Sequence, residues 1–565
     1  MKIFNSLGLY LFGACILIGE AKAQEKKFSL KGNTGVYSDF YSLTNNTNGN
    51  TLARRPPLNG RFVFNATLSF HKFSLPISVL IFNKQFSTVY PTLPNENLWE
   101  FISNPGNRVG IAPKYKWIEL QLGSHVPRFS ELSIGDLPQF GIGLNLSPGK
   151  FRLSVFSGLS AQAIQPDSAR NVAGQFKQRM QAAKIGFGAE ESTHIYLIAA
   201  TLEDDTSSIQ NTKRLLMPKK GLVTTIDYRL NLGKKLWLKG EIAGSAFTRD
   251  LQSKKIDSTQ LPIDIPTQIF VFQESSRLDY ASVMTLGKEG KIVGFQINAK
   301  YIGDGFYAVG YPFMQTDRMD ITVDPRISLW NGKFNLQGSV GKRLNNLSGI
   351  RSAVSTQLLG MANLQINFTE KLSAAANYSN FGFTNTIAND TFKINMITQS
   401  IGFSPVYMSN GKHNSHFVSF TINKDEFRDY NIVSGSTNNN DMFSWMLNYG
   451  LSGLKKPYKW NLLYNQLNNQ MYAGELRMQS IHTSISYSFF KKKCLTQLGF
   501  TYSETSLSSN APSVQLLTNI GVKYTLNKKT SFSLAGNINN FSYGDTKPGA
   551  SFIENFLKTS VTYQF

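Results

Sequence analysis

Apolar and polar residues alternate with a period of two along most of this chain, the pattern of strands that present one apolar and one polar face. Val514, Leu516, Thr518, Ile520, Val522, Tyr524 and Leu526 share one face, and Gln515, Asn519, Lys523 and Thr525 the other. Phe532, Leu534, Gly536 and Ile538 alternate with Ser531, Ser533, Asn537 and Asn539. Ile553, Leu557, Val561, Tyr563 and Phe565 alternate with Glu554, Lys558, Ser560 and Gln564. The N-terminal half repeats the pattern, with Phe62, Phe64, Ala66, Leu68 and Phe70 against Arg61, Asn65, Thr67 and Ser69. Such runs exceed the ~5–6 residues of ordinary globular strands and reach the ~9–11 that cross a bilayer. Beyond residue 24 there is no stretch of 18 apolar residues and no sustained heptad.

The connections predict how the strands are joined. Short ones are rich in Lys, Gly and Asn, among them Ser147-Pro148-Gly149-Lys150, Asn331-Gly332-Lys333, Asn410-Gly411-Lys412 and Lys491-Lys492-Lys493. Asn331-Gly332 and Asn410-Gly411 are signals for two-residue hairpins. Longer polar loops fall between them, near 42–60, 87–107, 163–178, 205–220 and 250–276. Short turns at one end and long loops at the other are a property of membrane barrels, whereas a soluble sandwich has no reason to sort them. Trp117, Trp237, Trp330 and Trp460 lie beside short turns, where an indole at a membrane interface buries its ring and keeps its N–H wet. The expected fold is all-β: one large transmembrane antiparallel barrel of about 26 strands (24–26), running from near Phe28 to Phe565.

Composition sharpens this picture. Charged residues make up 17% and aromatics 12% of 565 residues, too little charge for an ordinary soluble protein, where about 25% is usual. Lys2 and the apolar run Leu7 to Gly19 precede Ala21-Lys22-Ala23, a secretory leader with its cleavage pattern. The expected organisation is therefore a cleaved signal peptide over 1–23, a mature start at Gln24, and a barrel over 24–565. Loss of Cys15 with the leader leaves Cys494 as the one thiol, so no intramolecular disulfide forms.

The leader, the many-stranded alternating body and the final Tyr563-Gln564-Phe565 resemble bacterial outer-membrane β-barrel proteins. The Asn-rich loops and Lys-rich turns are similar to those of the Bacteroidota type, porin-like and without the plug of TonB-dependent transporters. The resemblance implies an outer-membrane location, outer-membrane lipid around the barrel, and reading of Tyr563 and Phe565 by the barrel-assembly machinery.

The formal charge of +22 raises the question of nucleic acid, but its placement argues otherwise. Nineteen lysines lie in or beside the short turns with four glutamates among them, so most of the excess sits at one rim, where lysines reach lipid phosphates. An acidic periplasmic partner is the alternative use of that rim, and nucleic acid is not expected. Candidate chemistry is sparse. His413-x-x-His416 could share a metal only across a turn, and Glu203-Asp204-Asp205 opens a long outer loop that could hold Ca²⁺ or bridge lipopolysaccharide cations, against the plainer reading of a solvated acidic loop. His125, His194 and His482 lack Ser and Asp company, and Arg54-Arg55-Pro56-Pro57 marks a basic, stiff outer loop. No enzyme, cofactor or metal is expected. The expected role is a channel for solutes or larger cargo, with loops such as 87–107 and 250–276 folded inward. The alternatives are a scaffold within an export or assembly complex, and a surface receptor or adhesin.

Overall fold

The computed structural model describes residues 28–45, 53–82, 98–103, 107–135, 137–167, 172–210, 216–256, 268–508, 510–544 and 551–565. The expected leader, with Ala21, Ala23 and Gln24, lies outside them. Every strand pairs antiparallel with its neighbours in sequence. The first, Phe28–Asn45, also pairs with the last, Phe552–Gln564, from Asn33 opposite Gln564 to Asn45 opposite Phe552, which closes the sheet. Arg108–Ile111 and Lys114–Tyr115 both lie between Phe73–Phe82 and Ile118–His125, so they are two pieces of one strand. Counted that way, the barrel has 26 strands.

Alternation assigns the faces. On Cys494–Leu507, Leu498 and Phe500 are exposed on one side, and they continue across the sheet into Ile485 and Ile520. This unbroken apolar face is the outside. Gln497, Thr501 and Ser503 face the lumen, in register with Ser486, His482 and Ser480. Arginine at position 498 should therefore cost about 2–4 kcal/mol near a bilayer midplane, whereas Gln497→Arg should be almost neutral. Urea titration of both variants refolded in vesicles checks the difference.

The connections sort by end. Those at 147–150, 232–235, 330–333, 454–457, 490–493 and 526–529 are short and lie at the end that holds Phe28 and Phe565. The longer connections leave from the other end, after Phe73–Phe82, Phe151–Ala161, His194–Asp205 and Leu236–Thr248, although Tyr472-Ala473 there is a two-residue turn. The two Asn-Gly sites do turn the chain, but over 330–333 and 411–413 rather than over two residues. At the first, Trp330, Asn331 and Gly332 all take positive φ.

The wall is uneven in height. Ile118–His125 and Gln139–Leu146 have 8 residues each, whereas Asn395–Asn410 and Asn414–Asp429, across the barrel, have 16 each. The tall strands carry their apolar outer residues near the short turns. On Gly474–Phe489 the outward Ile485 and Ile481 give way to Gln479, Arg477 and Glu475 toward the long-loop end. The polar part of that wall stands above the apolar band.

Candidate functional site: the barrel lumen

Two segments enter the lumen, and neither is among the loops expected to do so. Residues 126–135 and 303–317 lie against the inner wall of the strands from Phe151–Ala161 to Val293–Ile302. That stretch of wall is apolar where a lumen is ordinarily polar. Phe156, Met180, Tyr196, Ile198, Leu202 and Val223 face inward and are buried under Phe129, Leu132 and Ile134 from one segment and Phe306, Ala308 and Val309 from the other. Burial of these side chains, at about 1.5–3 kcal/mol each for the large ones, is what draws the segments inward.

The expected inward loops behave differently. Phe270 and Phe272, from 249–275, pack on Leu222, Ala246 and Leu278, which face outward. Trp99, in the helix Leu98–Ser103, meets the outward Phe140 edge-on at 5.2 Å. Their aromatic residues find apolar partners on the outside of the wall near its rim, so the described parts of both loops stay out of the lumen.

Polar contacts fix the inward segments in place. The Glu241 carboxylate accepts the backbone N–H of Glu131 and that of Leu132, each at 3.0 Å. Lys300 Nζ donates to Glu131 at 2.5 Å. The N–H of Gly310 donates to the Ser133 carbonyl at 2.8 Å, which joins the two segments. A Cβ at Gly310 would stand 2.5 Å from the Ile134 Cα, so the backbones can meet this closely only at a glycine, and one at Gly135 would have to displace the Tyr311 ring. The second segment is held by Asp279, which accepts the Gly305 N–H at 2.7 Å, and by Ser245, whose Oγ accepts the Tyr307 N–H at 3.0 Å. Asp317 accepts the N–H and the hydroxyl of Ser348 at 2.9 and 3.0 Å, tying it to the next loop. Glu241→Ala removes two charge-assisted bonds worth about 1.5–3 kcal/mol each. Faster proteolytic cleavage after Arg128 in the otherwise folded barrel is the expected readout.

Charge in the lumen is segregated. The strands from Phe151–Ala161 to Phe334–Asn345 carry most of it. Lys184 is buried between the Tyr196 ring, at 5.3 Å, and Glu190, at 3.4 Å. His194 stacks on Tyr196 at 4.4 Å and meets Asp227 at 3.5 Å. Its Nδ1 lies 2.9 Å from the Ser192 carbonyl and its Nε2 faces the Asp227 carboxylate, so acceptors flank both ring nitrogens. Arg343 grips Asp320 with two bonds, at 2.6 and 3.0 Å. From Ser355–Asn367 to Thr530–Ser542, by contrast, the inward positions are chiefly Ser, Thr, Asn and Gln with scattered Met, Leu and Phe. Asp425, Asp429, Lys459 and Lys523 are the charges there.

The residues singled out in the sequence scatter through this frame. Trp117 and Trp330 are exposed in short turns, and Trp460 faces outward, its N–H on Thr483 Oγ1 at 2.9 Å. Trp237 departs from the expected interface belt: it is buried in the lumen, in register with Asn231 and Gly287, with Arg229 4.8 Å and Lys239 5.7 Å from its ring. Alternation places it in phase with Lys239 and Glu241, and those cations supply the partners that the lipid interface was expected to supply. Tyr563 and Phe565 face outward at the closing seam, where Gly32 and Phe565 exchange backbone hydrogen bonds at 3.1 Å and Phe565 stacks on Phe64. His413 is exposed in a turn while His416 meets the Tyr449 hydroxyl at 2.9 Å. The acidic run splits, with Asp204 inward on Gln178 and the Lys219 N–H, and Glu203 outward on Lys220. Arg54 and Arg55, read only as a loop, lie over the lumen-facing rings of Phe552 and Phe556. The described residues hold no cluster of three or more metal-ligating side chains.

A closed antiparallel barrel, apolar outside and largely polar within, is the architecture of a membrane-spanning β-barrel protein. No family model and no curated protein matches the sequence. Among solved structures, the chain is similar to OccAB4 of Acinetobacter baumannii at 12% identity and a TM-score of 0.31, covering 74% of this chain and 97% of that one. It is similar to the P pilus usher PapC translocation pore at 8% identity and 0.40, covering 95% and 99%. It is also similar to the ferric enterobactin receptor PfeA of Pseudomonas aeruginosa, at 9% identity and 0.41, covering 95% and 80%. Identities and scores this low leave the function to be read from the barrel itself.

Proposed function

We propose that the protein is an outer-membrane channel that passes hydrophilic solutes along the sparsely charged arc of its lumen. The observation that carries this reading is the division of the inner wall. One arc is sealed by two anchored segments, and the arc from Ser355–Asn367 to Thr530–Ser542 keeps a continuous hydrogen-bonding surface with few charges. Twenty-six strands spaced ~4.8 Å apart and tilted ~40° enclose a backbone diameter of about 50 Å if circular, so the inward segments narrow the lumen and leave room beside them. The apolar outer band supports a membrane location, and the sorting of turns from loops supports the outer membrane, with the short turns toward the periplasm. A wall of Ser, Thr and Asn offers donors and acceptors to neutral solutes without trapping ions. In a swelling assay, vesicles containing the protein should admit neutral mono- and disaccharides at rates that fall with solute size. Vesicles that remain tight to every sugar would reject the reading.

A further inference from the structure

We propose that the short-turn rim is a docking surface for anionic phospholipid headgroups of the leaflet that surrounds it. Eleven of the twelve short connections carry at least one lysine. These lysines are exposed, and none has an ion-pair partner among the described residues. The exception is the turn at 189–193, which bears Glu190 and Glu191; it lies beneath the charged arc of the lumen, and Glu190 is turned to the inward Lys184.

Two features separate a lipid surface from a protein partner. The charge follows the whole circumference, whereas a protein partner would be met by one concentrated sector. Exposed aromatic side chains also stand beside the lysines at the same level: Tyr115 and Trp117 flank Lys116, Trp330 precedes Lys333, Phe368 precedes Lys371, and Phe490 precedes Lys491. Aromatic rings interleaved with ammonium groups at one level match the headgroup edge of a leaflet, where both kinds of side chain settle. A band of lysines in which Glu289 and Glu370 are the acidic residues outside the 189–193 turn carries a net positive charge and attracts anionic headgroups within a Debye length.

The test is lipid enrichment around the whole barrel, refolded in phosphatidylethanolamine vesicles containing a minor fraction of phosphatidylglycerol. Lipid retained on extraction is quantified by mass spectrometry. Phosphatidylglycerol should be enriched over the bulk by roughly threefold or more, and high salt should abolish the enrichment. Substituting glutamine for Lys455, Lys456, Lys491, Lys492, Lys493 and Lys528 should lower it, and arginine at the same six positions should restore it. Absence of enrichment, or enrichment indifferent to salt and to the glutamine set, overturns the proposal. Displacement of the lipid by dilute polyglutamate would assign the rim to an acidic protein instead. Should the glutamine set fail to fold, the salt dependence of the unaltered barrel still decides the matter, and none of these outcomes depends on whether the lumen conducts.

Discussion

Replacing residues 304–316 with a short Gly-Ser linker is expected to enlarge the pore while the barrel stays closed. Ile302 and Arg318 face each other across the adjoining strands, so a few residues suffice to join them. The replacement removes Phe306, Ala308 and Val309 from the buried cluster and Gly310 from its bond to Ser133, which strips residues 126–135 of the contacts made by the second segment. Glu241 and Lys300 still hold Glu131, so the first segment loosens before it leaves. Because the narrowest cross-section sets the current, single-channel conductance should rise by roughly twofold or more. Gly310→Val, which presses against Ile134 without shortening the chain, should raise conductance noise before it raises the mean.

The second large effect lies at the seam. Gly32→Val should sharply reduce the yield of closed barrel, measured as the fraction with heat-resistant mobility in a denaturing gel. A side chain at Gly32 would meet the Asn65 carbonyl at 2.2 Å and the Phe565 ring at 2.9 Å. Phe565 covers the bare glycine and stacks on Phe64 at 6.0 Å, while its backbone makes the two bonds that end the closing register. The larger side chain breaks both at once. Deleting Phe565 removes the ring and the terminal bonds but adds no clash, so its loss should be smaller in purified lipid. Any greater loss in cells would report reading of Tyr563 and Phe565 during assembly.

Alternation made the barrel legible because each crossing strand answers to two solvents. Val514 to Tyr524 face outward and Gln515 to Thr525 inward as their pattern requires, and the same holds for the last two strands. The lumen segments were harder to read because their anchors are remote: Glu241 lies 110 residues from Glu131. A signal for them was nevertheless present. Strand His194–Asp205 is apolar on both faces, with Ile195 and Leu197 exposed outside and Tyr196, Ile198 and Leu202 buried inside, so something had to cover its inner side. Trp237 stands next to a turn, but its phase with Lys239 and Glu241 along the strand is what decides its direction and turns it inward. The stacking of Arg54 and Arg55 over Phe552 and Phe556 joins the two ends of the chain, a contact that only closure creates.

The conductance of the purified, refolded protein in a planar bilayer is the most direct test of a channel. A stable conductance is expected, one that scales with salt, falls in the presence of neutral sugars, and rises when residues 304–316 are replaced. A barrel shown folded by circular dichroism and heat-resistant mobility that passes no current, with or without that segment, would contradict it.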